Sequence, residues 1–348
     1  MIEKTLDKIS WLVTEEQYRA DPALSYSTLA KYKRSGFNEL GHLFDKVESP
    51  SLTFGSAVDS IITGGEEEFN DRFMVAEFPS VPDSVVSIIK HLFTEYSDQY
   101  MTIEEIPDSI VIVEAGKFNY QNNWKPETRA KVIKEKGSEY YRLMYLAKDK
   151  TILDSATYSD VRNSVEVLRN SPTTRRFFAD DNPFSKVRHY YQLKFKATLD
   201  GVDYRCMADL IIVDYENKVI IPVDLKTSGK HEWDFHKSFI DWDYQIQARL
   251  YWRIIRDNLD RDEYFKDFEL TDYLFIVVNR KSLTPLVWEC PFTKEKGLLK
   301  FGKNQQIEMQ DPQDIGAELH LYLEENSDVP IGILKDGYNN IKSWLDKL

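Results

Sequence analysis

The chain has 348 residues, of which 42% are hydrophobic and 13% aromatic; this composition predicts a folded protein and excludes a disordered one. Its 58 acidic residues outnumber its 45 basic residues, and the net charge of −13 argues against a protein that grips nucleic acid with a uniformly basic surface. The two cysteines, Cys206 and Cys290, are too few for a four-cysteine iron–sulfur cluster, a zinc ribbon or a disulfide framework. No segment approaches the roughly eighteen apolar residues of a membrane span, so we expect an intracellular protein without a membrane partner.

The N-terminal half of the chain is predicted to be mainly helical. Residues 1–75 form one helical part, and residues 76–185 form a helical insertion or subdomain whose function the sequence does not indicate. Hydrophobic spacing and capping residues predict four helices, at Thr28–Tyr32 after an N-cap at Ser27, Thr53–Thr63, Ser84–Tyr96 and Tyr158–Asn170. Pro107 and Pro126 indicate a loop-rich stretch between the last two helices. Its segment Asn119–Pro126 has a composition that either stacks on bases or bridges two helices.

Residues 186–293 have the pattern of a mixed α/β core. The predicted elements are three strands, a helix and two more strands, at 188–199, 203–214, 218–226, Asp234–Asn258, Asp272–Asn279 and Pro285–Cys290. This order favours a mixed central β-sheet flanked by helices. Residues 294–348 are predicted to be helical, with amphipathic helices at Ile315–Glu325 and Tyr338–Leu348.

Two aspartates lie symmetrically about the turn Tyr215–Lys218 between the second and third strands. In a regular hairpin Asp209 lies opposite Asp224, with Cβ atoms about 5 Å apart. Two carboxylates at that distance repel each other, and a divalent cation between them removes the cost; rigid oxygen ligands favour Mg²⁺, with Mn²⁺ as a substitute. Lys226 follows Asp224 by two residues, so strand alternation places its ammonium on the same face.

These residues resemble the PD-(D/E)XK nuclease signature, and the segment after the strands resembles the Gln-x-x-x-Tyr helix of RecB-like nucleases. The matching helix positions are Gln247 and Tyr251, which share one helix face. The resemblance is to phage RecE-like and lambda-type exodeoxyribonucleases. It covers roughly residues 20–65 and 186–295, and it implies a restriction-endonuclease-like fold with residues 186–293 as the catalytic core.

The resemblance extends upstream to two shorter segments. Leu24–Leu29 resembles the Ser-rich opening of such exonucleases, and Gly55–Asp59 resembles their Gly-x-x-x-His helix. Asp59 stands where that pattern has histidine, and an aspartate can ligate the same metal through oxygen. Gln192 stands at or near the place where many relatives have a glutamate.

The resemblance assigns a role to each matching residue. The metal ligands are Asp59, Asp209, Asp224 and the carbonyl of Leu225. Lys226 orients the attacking water and offsets charge on the scissile phosphate, while Gln247 orients a metal ligand or water and Tyr251 packs behind it. The basic group Lys31, Lys33 and Arg34 is expected to meet the DNA backbone. Pro222, inside the third strand, indicates a bulge beside Asp224.

The function that the resemblance implies is a Mg²⁺-dependent exodeoxyribonuclease. It would resect double-stranded DNA from its ends for phage recombination, as a ring-shaped trimer or tetramer beside a single-strand annealing recombinase, in the cytoplasm of a bacterial host. One alternative is a structure-specific or restriction-like endonuclease on the same site. Another is a DNA-binding or assembly protein whose nuclease core has lost its activity. This alternative is favoured by Asp59, Gln192 and the acidic net charge. It is opposed by the presence of Asp209, Asp224 and Lys226.

Overall fold

The computed structural model describes residues 4–36, 42–45, 47, 49–179, 184–290, 297–301 and 305–325. Its contacts group the chain into two compact units. We call Met1–Gly64 with Asn163–Leu348 the sheet unit, and Gly65–Arg162 the helical unit. The predicted division of the chain into four segments, ending at residues 75, 185, 293 and 348, does not correspond to these two units and stays a prediction.

The secondary structure follows the predicted order in its central part. In chain order the helices are α1 (Glu15–Ala20), α2 (Tyr26–Ser35), α3 (Pro50–Arg72), α4 (Asp83–Tyr96), α5 (Asp108–Lys117), α6 (Pro126–Ala147), α7 (Ser155–Asn170), α8 (Phe235–Asp241), α9 (Tyr244–Asp260) and α10 (Pro312–Glu325). The strands are β1 (Phe73–Val75), β2 (Thr151–Leu153), β3 (Val187–Leu199), β4 (Val202–Asp214), β5 (Val219–Ser228), β6 (Glu269–Leu270), β7 (Tyr273–Asn279), β8 (Leu286–Cys290), β9 (Gly297–Phe301) and β10 (Gln305–Met309).

The sheet unit contains a central mixed sheet in the order β3-β4-β5-β7-β8, with β6 paired to β5. β3, β4 and β5 are antiparallel neighbours, β5 and β7 are parallel, and β8 is antiparallel to β7. Asp200 and Gly201 both have positive φ in the two-residue connection between β3 and β4, as a tight hairpin turn requires. The predicted α/β class, a mixed sheet flanked by helices, is confirmed.

The core of the sheet unit forms between the sheet and α9. Helix α9 packs across β3, β4 and β7, and both α2 and α10 pack against α9. Apolar side chains such as Phe195, Ile211 and Phe275 from the sheet meet Ile254 and Leu250 from α9, all fully buried. This packing fixes the position of α9 over the strands that carry Asp209 and Asp224.

The helical unit has a separate core formed by α4, α5 and α6. Helices α5 and α6 occupy the stretch for which the sequence predicts loops, so that prediction is wrong. Pro107 is the N-cap of α5, and Pro126 is the first residue of α6. Proline is tolerated at a helix start because the first N–H groups have no partner within the helix. The two prolines therefore mark helix starts.

Three other element predictions differ from the structure. The N-cap of α2 is Ser25, in extended conformation, and not Ser27. The predicted single helix over Asp234–Asn258 is interrupted at Asp243, whose left-handed backbone (φ 55°) separates α8 from α9. β9 and β10 form an antiparallel pair where the sequence predicts helix. Gly302 and Asn304 are residue types common in turns, and β10 (Gln-Gln-Ile-Glu-Met) is too polar for its sequence to have indicated a strand.

Helix α10 agrees with the helix predicted at Ile315–Glu325, and the helix predicted at Tyr338–Leu348 lies outside the described residues. In the part of the chain that the structure describes, no helix has the length and apolar character needed to cross a membrane.

Pro222 is accommodated without a bulge in β5, so the predicted bulge is wrong. The pairing of β4 with β5 runs without interruption through Ile211–Pro222. On the other edge of β5, β6 pairs up to Ile220 and β7 begins to pair at Val223. Pro222 therefore lies at the gap between two parallel partners, where its missing N–H breaks no ladder bond on that side.

Gly137 allows α6 to pack closely against α4. A Cβ atom at this position would lie 2.7 Å from Cδ1 of the buried Ile89. We predict that Gly137→Ala lowers the free energy of unfolding by about 1–3 kcal/mol, because the overpacking exceeds the gain of about 1 kcal/mol in helix propensity. Urea denaturation followed by circular dichroism measures the change.

Gly116, in α5, provides the matched control, because a Cβ atom there meets no other atom within 4 Å. Gly116→Ala should leave the stability unchanged or raise it by up to about 1 kcal/mol. Equal effects of the two substitutions would contradict the proposed close approach at Gly137.

Candidate active site

Three neighbouring strands place Gln192, Asp209 and Asp224 side by side. Leu210 pairs with Val223, so the predicted hairpin register is confirmed, and the two aspartates are the next residue on each strand, just beyond the last pair of the ladder. Tyr191 pairs with Leu210 and Leu193 with Ala208, which places Gln192 beside Asp209. The sheet therefore gathers two carboxylates and an amide at one place on three strands.

The regular ladder of β4 and β5 ends at these aspartates. The backbone N–H of Leu225 donates to Asp209 Oδ2 over 2.9 Å, so the carboxylate takes the place of a backbone acceptor. Burial raises the pKa of Asp209 well above its ordinary value, and the carboxylates of Asp224 and Asp59 raise it further. Lys226 and the Leu225 N–H oppose this rise only in part. With both carboxylates ionised the site would carry an excess of negative charge, which a cation would relieve.

Lys226 lies on the same face as Asp224, as strand alternation predicts. Its Nζ lies 2.5 Å from Asp224 Oδ2, and its side chain is 19% exposed. Burial lowers the pKa of Lys226, but the Asp224 carboxylate, assisted by Tyr244 and Asp209, raises it above its ordinary value. The ammonium is therefore protonated near neutral pH, which suits an electrostatic anchor and not a free base.

Helix α9 brings Gln247 onto Asp224. Gln247 Nε2 donates to Asp224 Oδ1 over 2.5 Å, and both side chains are buried. The other amide atom, Oε1, is buried without a hydrogen-bond partner among the described residues. One turn along, Tyr251 packs in the core, edge-on to Tyr273 at 6.2 Å between ring centroids. Gln247 thus orients one oxygen of Asp224 and has an acceptor left for a further group, such as a water.

Helix α3 contributes Asp59, which meets Gln192. The amide Nε2 of Gln192 donates to both carboxylate oxygens of Asp59, at 3.0 and 3.3 Å. Gln192 has φ 53° in the middle of β3, a left-handed conformation that is rare for a strand residue. A Cβ atom on Gly55, one turn before Asp59, would lie 3.1 Å from Thr227 Oγ1, so glycine lets α3 approach β5 closely.

The basic residues predicted to meet DNA lie on α2 and are already engaged within the chain. Lys31 Nζ donates to the backbone carbonyls of His42 and Asp45, at 3.1 and 2.7 Å. Lys33 forms an ion pair with Asp243, and the Arg34 guanidinium lies over the Trp242 ring, 5.4 Å from its centroid. A contact of these residues with DNA stays a prediction.

The side chains that surround Lys226 include two tyrosines that the sequence did not indicate. The Tyr244 ring centroid lies 4.9 Å from Lys226 Nζ, and the Tyr26 ring lies 6.4 Å from that of Tyr244. Burial raises the pKa of Tyr244, so its phenol stays protonated and neutral. Tyr244 is the first residue of α9, directly after the left-handed Asp243, and no sequence pattern indicated a break in the helix there.

The residues present fit a Mg²⁺ ion that keeps part of its water shell. Asp209 and Asp224 offer carboxylate oxygens, in the described part of the chain neither forms an ion pair with arginine, and the buried Gln247 Oε1 is an acceptor without a donor. No group of three His, Cys, Asp or Glu side chains among the described residues could hold a metal on its own. Mg²⁺ is usually held by one or two carboxylates plus waters and substrate phosphate, so two aspartates suffice. Ligation by Asp59 and the Leu225 carbonyl stays a prediction.

Comparison with known proteins gives distant structural similarity without a match in sequence. No family model matches the chain, and no curated protein sequence matches it. The fold is similar to a crystal structure at 2.19 Å resolution of a protein from Eubacterium rectale that carries the name "Putative exonuclease". The two chains are 14% identical with a TM-score of 0.40, and the match covers 94% of this chain and 88% of the other. At this distance the similarity carries no argument about activity, which has to be argued from the site.

Because the pKa of Asp209 is raised in the folded protein, we predict that this residue lowers the free energy of unfolding of the metal-free protein as the pH rises. A carboxyl group whose pKa is higher in the folded than in the unfolded state stabilises the fold at low pH, and that contribution is lost as the pH rises through the folded pKa. We predict that Asp209→Asn, which keeps an acceptor for the Leu225 N–H, raises the Tm without Mg²⁺ by about 2–4 °C at pH 8. Differential scanning fluorimetry at pH 5 and 8 measures the difference, which should shrink at pH 5.

The same variant should lose the response to metal. Mg²⁺ should raise the Tm of the native protein, because it binds the folded state alone, and it should not raise the Tm of Asp209→Asn. Asp203→Asn, at an exposed position of the same strand, is the control that keeps the response. A native Tm that is insensitive to both Mg²⁺ and Mn²⁺ would rule out the metal site.

Proposed function

We propose that this chain is a metal-dependent deoxyribonuclease that hydrolyses phosphodiester bonds. The observation that supports this is the group of Asp209, Asp224 and Lys226 on two paired strands, with Gln247 bonded to Asp224 from α9. Two like charges next to each other, with no arginine paired to either within the described residues, cost stability that a purely structural role would not require. A site that binds a cation and an anionic substrate accounts for that cost.

The chemistry needs positive charge at the scissile phosphate. Mg²⁺ bound by Asp209 and Asp224 would neutralise a nonbridging oxygen, acidify a water and stabilise the leaving 3′ oxygen. Asp224 is held for this task from two sides, by Gln247 Nε2 at Oδ1 and by Lys226 Nζ at Oδ2. Gln247 Oε1 is available to accept a hydrogen bond from a water near the carboxylates.

Lys226 supplies a fixed positive charge and not a base. Because its pKa is raised by the Asp224 carboxylate against the effect of burial, the ammonium keeps its proton and can donate to the phosphate or to the attacking water. The ring of Tyr244 beside it, at 4.9 Å, excludes water from one side of the ammonium. With Asp224 as a metal ligand, the Lys226 ammonium would be available to contact the substrate phosphate.

The finer parts of the proposal rest on the resemblance to PD-(D/E)XK nucleases alone. These parts are a preference for double-stranded DNA ends, an exonuclease role in phage recombination, a ring-shaped trimer or tetramer, an annealing protein as partner and the cytoplasm of a bacterial host as location. The acidic net charge of −13 fits a substrate gripped at a local site more easily than one coated along its length.

Cleavage assays on site variants test the activity. We predict that the native protein degrades end-labelled duplex DNA with Mg²⁺ and that Asp224→Asn lowers the rate by about 1,000-fold or more, because it removes a charged metal ligand. Lys226→Ala should lower the rate by about 100- to 1,000-fold while keeping the metal-dependent rise in Tm, because a single stabilising charge is lost and the carboxylates remain.

Lys131→Ala is the matched control for the lysine change. Lys131 is exposed on α6 and, among the residues that the structure describes, forms an ion pair with Glu135 alone, at 3.8 Å. Its removal should therefore not alter cleavage. If native protein, Asp224→Asn and Lys226→Ala all cleave equally, the activity belongs to a contaminant or another site. A native protein that binds Mn²⁺ and DNA without cleaving would favour the decayed binding protein.

The form of the substrate separates exonuclease from endonuclease. We predict that linear duplex DNA is degraded to nucleotides or short products while a covalently closed circle of the same sequence stays intact, because an exonuclease needs an end. Gel electrophoresis of both substrates after equal times measures this. Nicking or linearisation of the circle at a comparable rate would favour the endonuclease alternative.

A further inference from the structure

The connection between β5 and α9 presents two exposed tryptophans. This connector, residues 229–243, leaves the strand of Asp224 and Lys226 and enters the helix of Gln247. Trp233 is 64% exposed and Trp242 is 52% exposed. A tryptophan gains stability from burial, so two such side chains left open on one short connector indicate a surface with a binding partner.

Trp242 is held in position by residues of α2. The hydroxyl of Tyr26 donates to the backbone carbonyl of Trp242, and the neighbouring Asp243 forms an ion pair with Lys33. The Arg34 guanidinium lies 5.4 Å from the centre of the Trp242 ring. The ring is thus a fixed surface backed by a cation, and not a mobile loop side chain.

A short series of contacts joins Trp242 to the candidate active site. The bond between Trp242 and Tyr26 is followed by the ring contact of Tyr26 with Tyr244 at 6.4 Å, and Tyr244 lies 4.9 Å from Lys226 Nζ. Both ends of the connector are site elements. The backbone of Trp242 is therefore connected to Lys226 through two tyrosines.

Three of the four carboxylates of the connector pair with cations of the same chain. Asp241 pairs with Lys230 at 2.7 Å, Asp234 pairs with Lys237 at 2.6 Å, and Asp243 pairs with Lys33. Glu232 accepts a hydrogen bond from Ser282. Arg34 beside Trp242 adds positive charge, so the surface does not repel a polyanion despite the acidic composition of the chain.

Trp233, near the start of the connector, is also an exposed ring with another side chain against one of its faces. The His231 ring stacks on it with centroids 4.4 Å apart and an angle of 10° between the planes. One face of the Trp233 ring is covered in this way, and the residue remains the more exposed of the two tryptophans. Flat rings with polar or cationic backing are suited to bases, because every nucleobase has an apolar face next to a charged backbone.

We propose that Trp242, with Trp233, forms a stacking surface for unpaired nucleotides at the end of the DNA substrate. This proposal rests on the proposed nuclease function and names the feature of the substrate that the site engages. Stacking is tolerant of sequence, as a nuclease that degrades any DNA requires. A strand separated at its end would place an unpaired base on Trp242 and its phosphate near Lys226.

The test compares binding of duplexes with blunt and with frayed ends. Full-length protein carrying Lys226→Ala, which prevents cleavage, is mixed in Ca²⁺ with duplexes that have a terminal 2-aminopurine, either paired or in a three-nucleotide mismatched end. We expect the frayed duplex to bind about 5- to 100-fold more tightly and the fluorescence of its 2-aminopurine to be quenched. Adding Trp242→Ala should remove both effects, and Trp242→Phe should keep most of each.

Phe78→Ala is the matched control, because Phe78 is an exposed aromatic residue of the helical unit, outside the segment Asn119–Pro126. It should leave the preference for frayed ends and the quenching unchanged. The proposal is overturned if Trp242→Ala retains both effects, or if Trp242→Ala changes the oligomeric state of the protein, which would make this surface an interface between copies. Failure of the nuclease function is distinguishable, because the native protein would then cleave neither duplex.

Discussion

The repulsion between Asp209 and Asp224 is the constraint on which the rest of the structure depends. The register of β4 and β5 makes them neighbours, and a shift of one residue would turn one of them to the other face of the sheet. Apolar residues on both sides of the hairpin, such as Ile211 and Val223, are buried, so such a shift would also expose core. The apolar packing that stabilises the sheet therefore also keeps Asp209 and Asp224 close together, although their repulsion lowers the stability of the fold.

The neighbouring elements each reduce that cost in part. The amide of Leu225 binds Asp209, Lys226 and Gln247 bind Asp224, and Gln192 binds Asp59. None of these contacts cancels the charge of Asp209, whose pKa remains raised by burial and by the nearby carboxylates. The remaining excess of negative charge is a property of the folded protein that a divalent cation can remove, and it ties metal binding to stability.

The sequence could predict the features that depend on short distances along the chain. Strand alternation and the turn at residues 215–218 were sufficient to place Lys226 with Asp224 and both aspartates side by side. Features set by distant packing could not be read in this way. The hydrogen bond of Gln192 to Asp59 joins residues 133 apart, and the engagement of Lys33 by Asp243 joins residues 210 apart. Helices α5 and α6 were not predicted because proline occurs both where helices are interrupted and where they begin, and Pro107 and Pro126 indicated loops in the sequence.

Three of the places where the chain departs from local rules are on elements of the candidate site, while the other non-glycine residues with positive φ lie in turns, loops or at a helix end. Gln192 is left-handed in the middle of a strand, Asp243 is left-handed at the start of the motif helix, and Pro222 lies inside a central strand. Each departure costs stability, and such costs persist only where the surrounding structure enforces them. Gln192 binds Asp59, and the break at Asp243 lies between the exposed Trp242 and Tyr244, which contacts Lys226. Strained backbone conformations are frequent at functional sites, and two of them lie on elements of this candidate site.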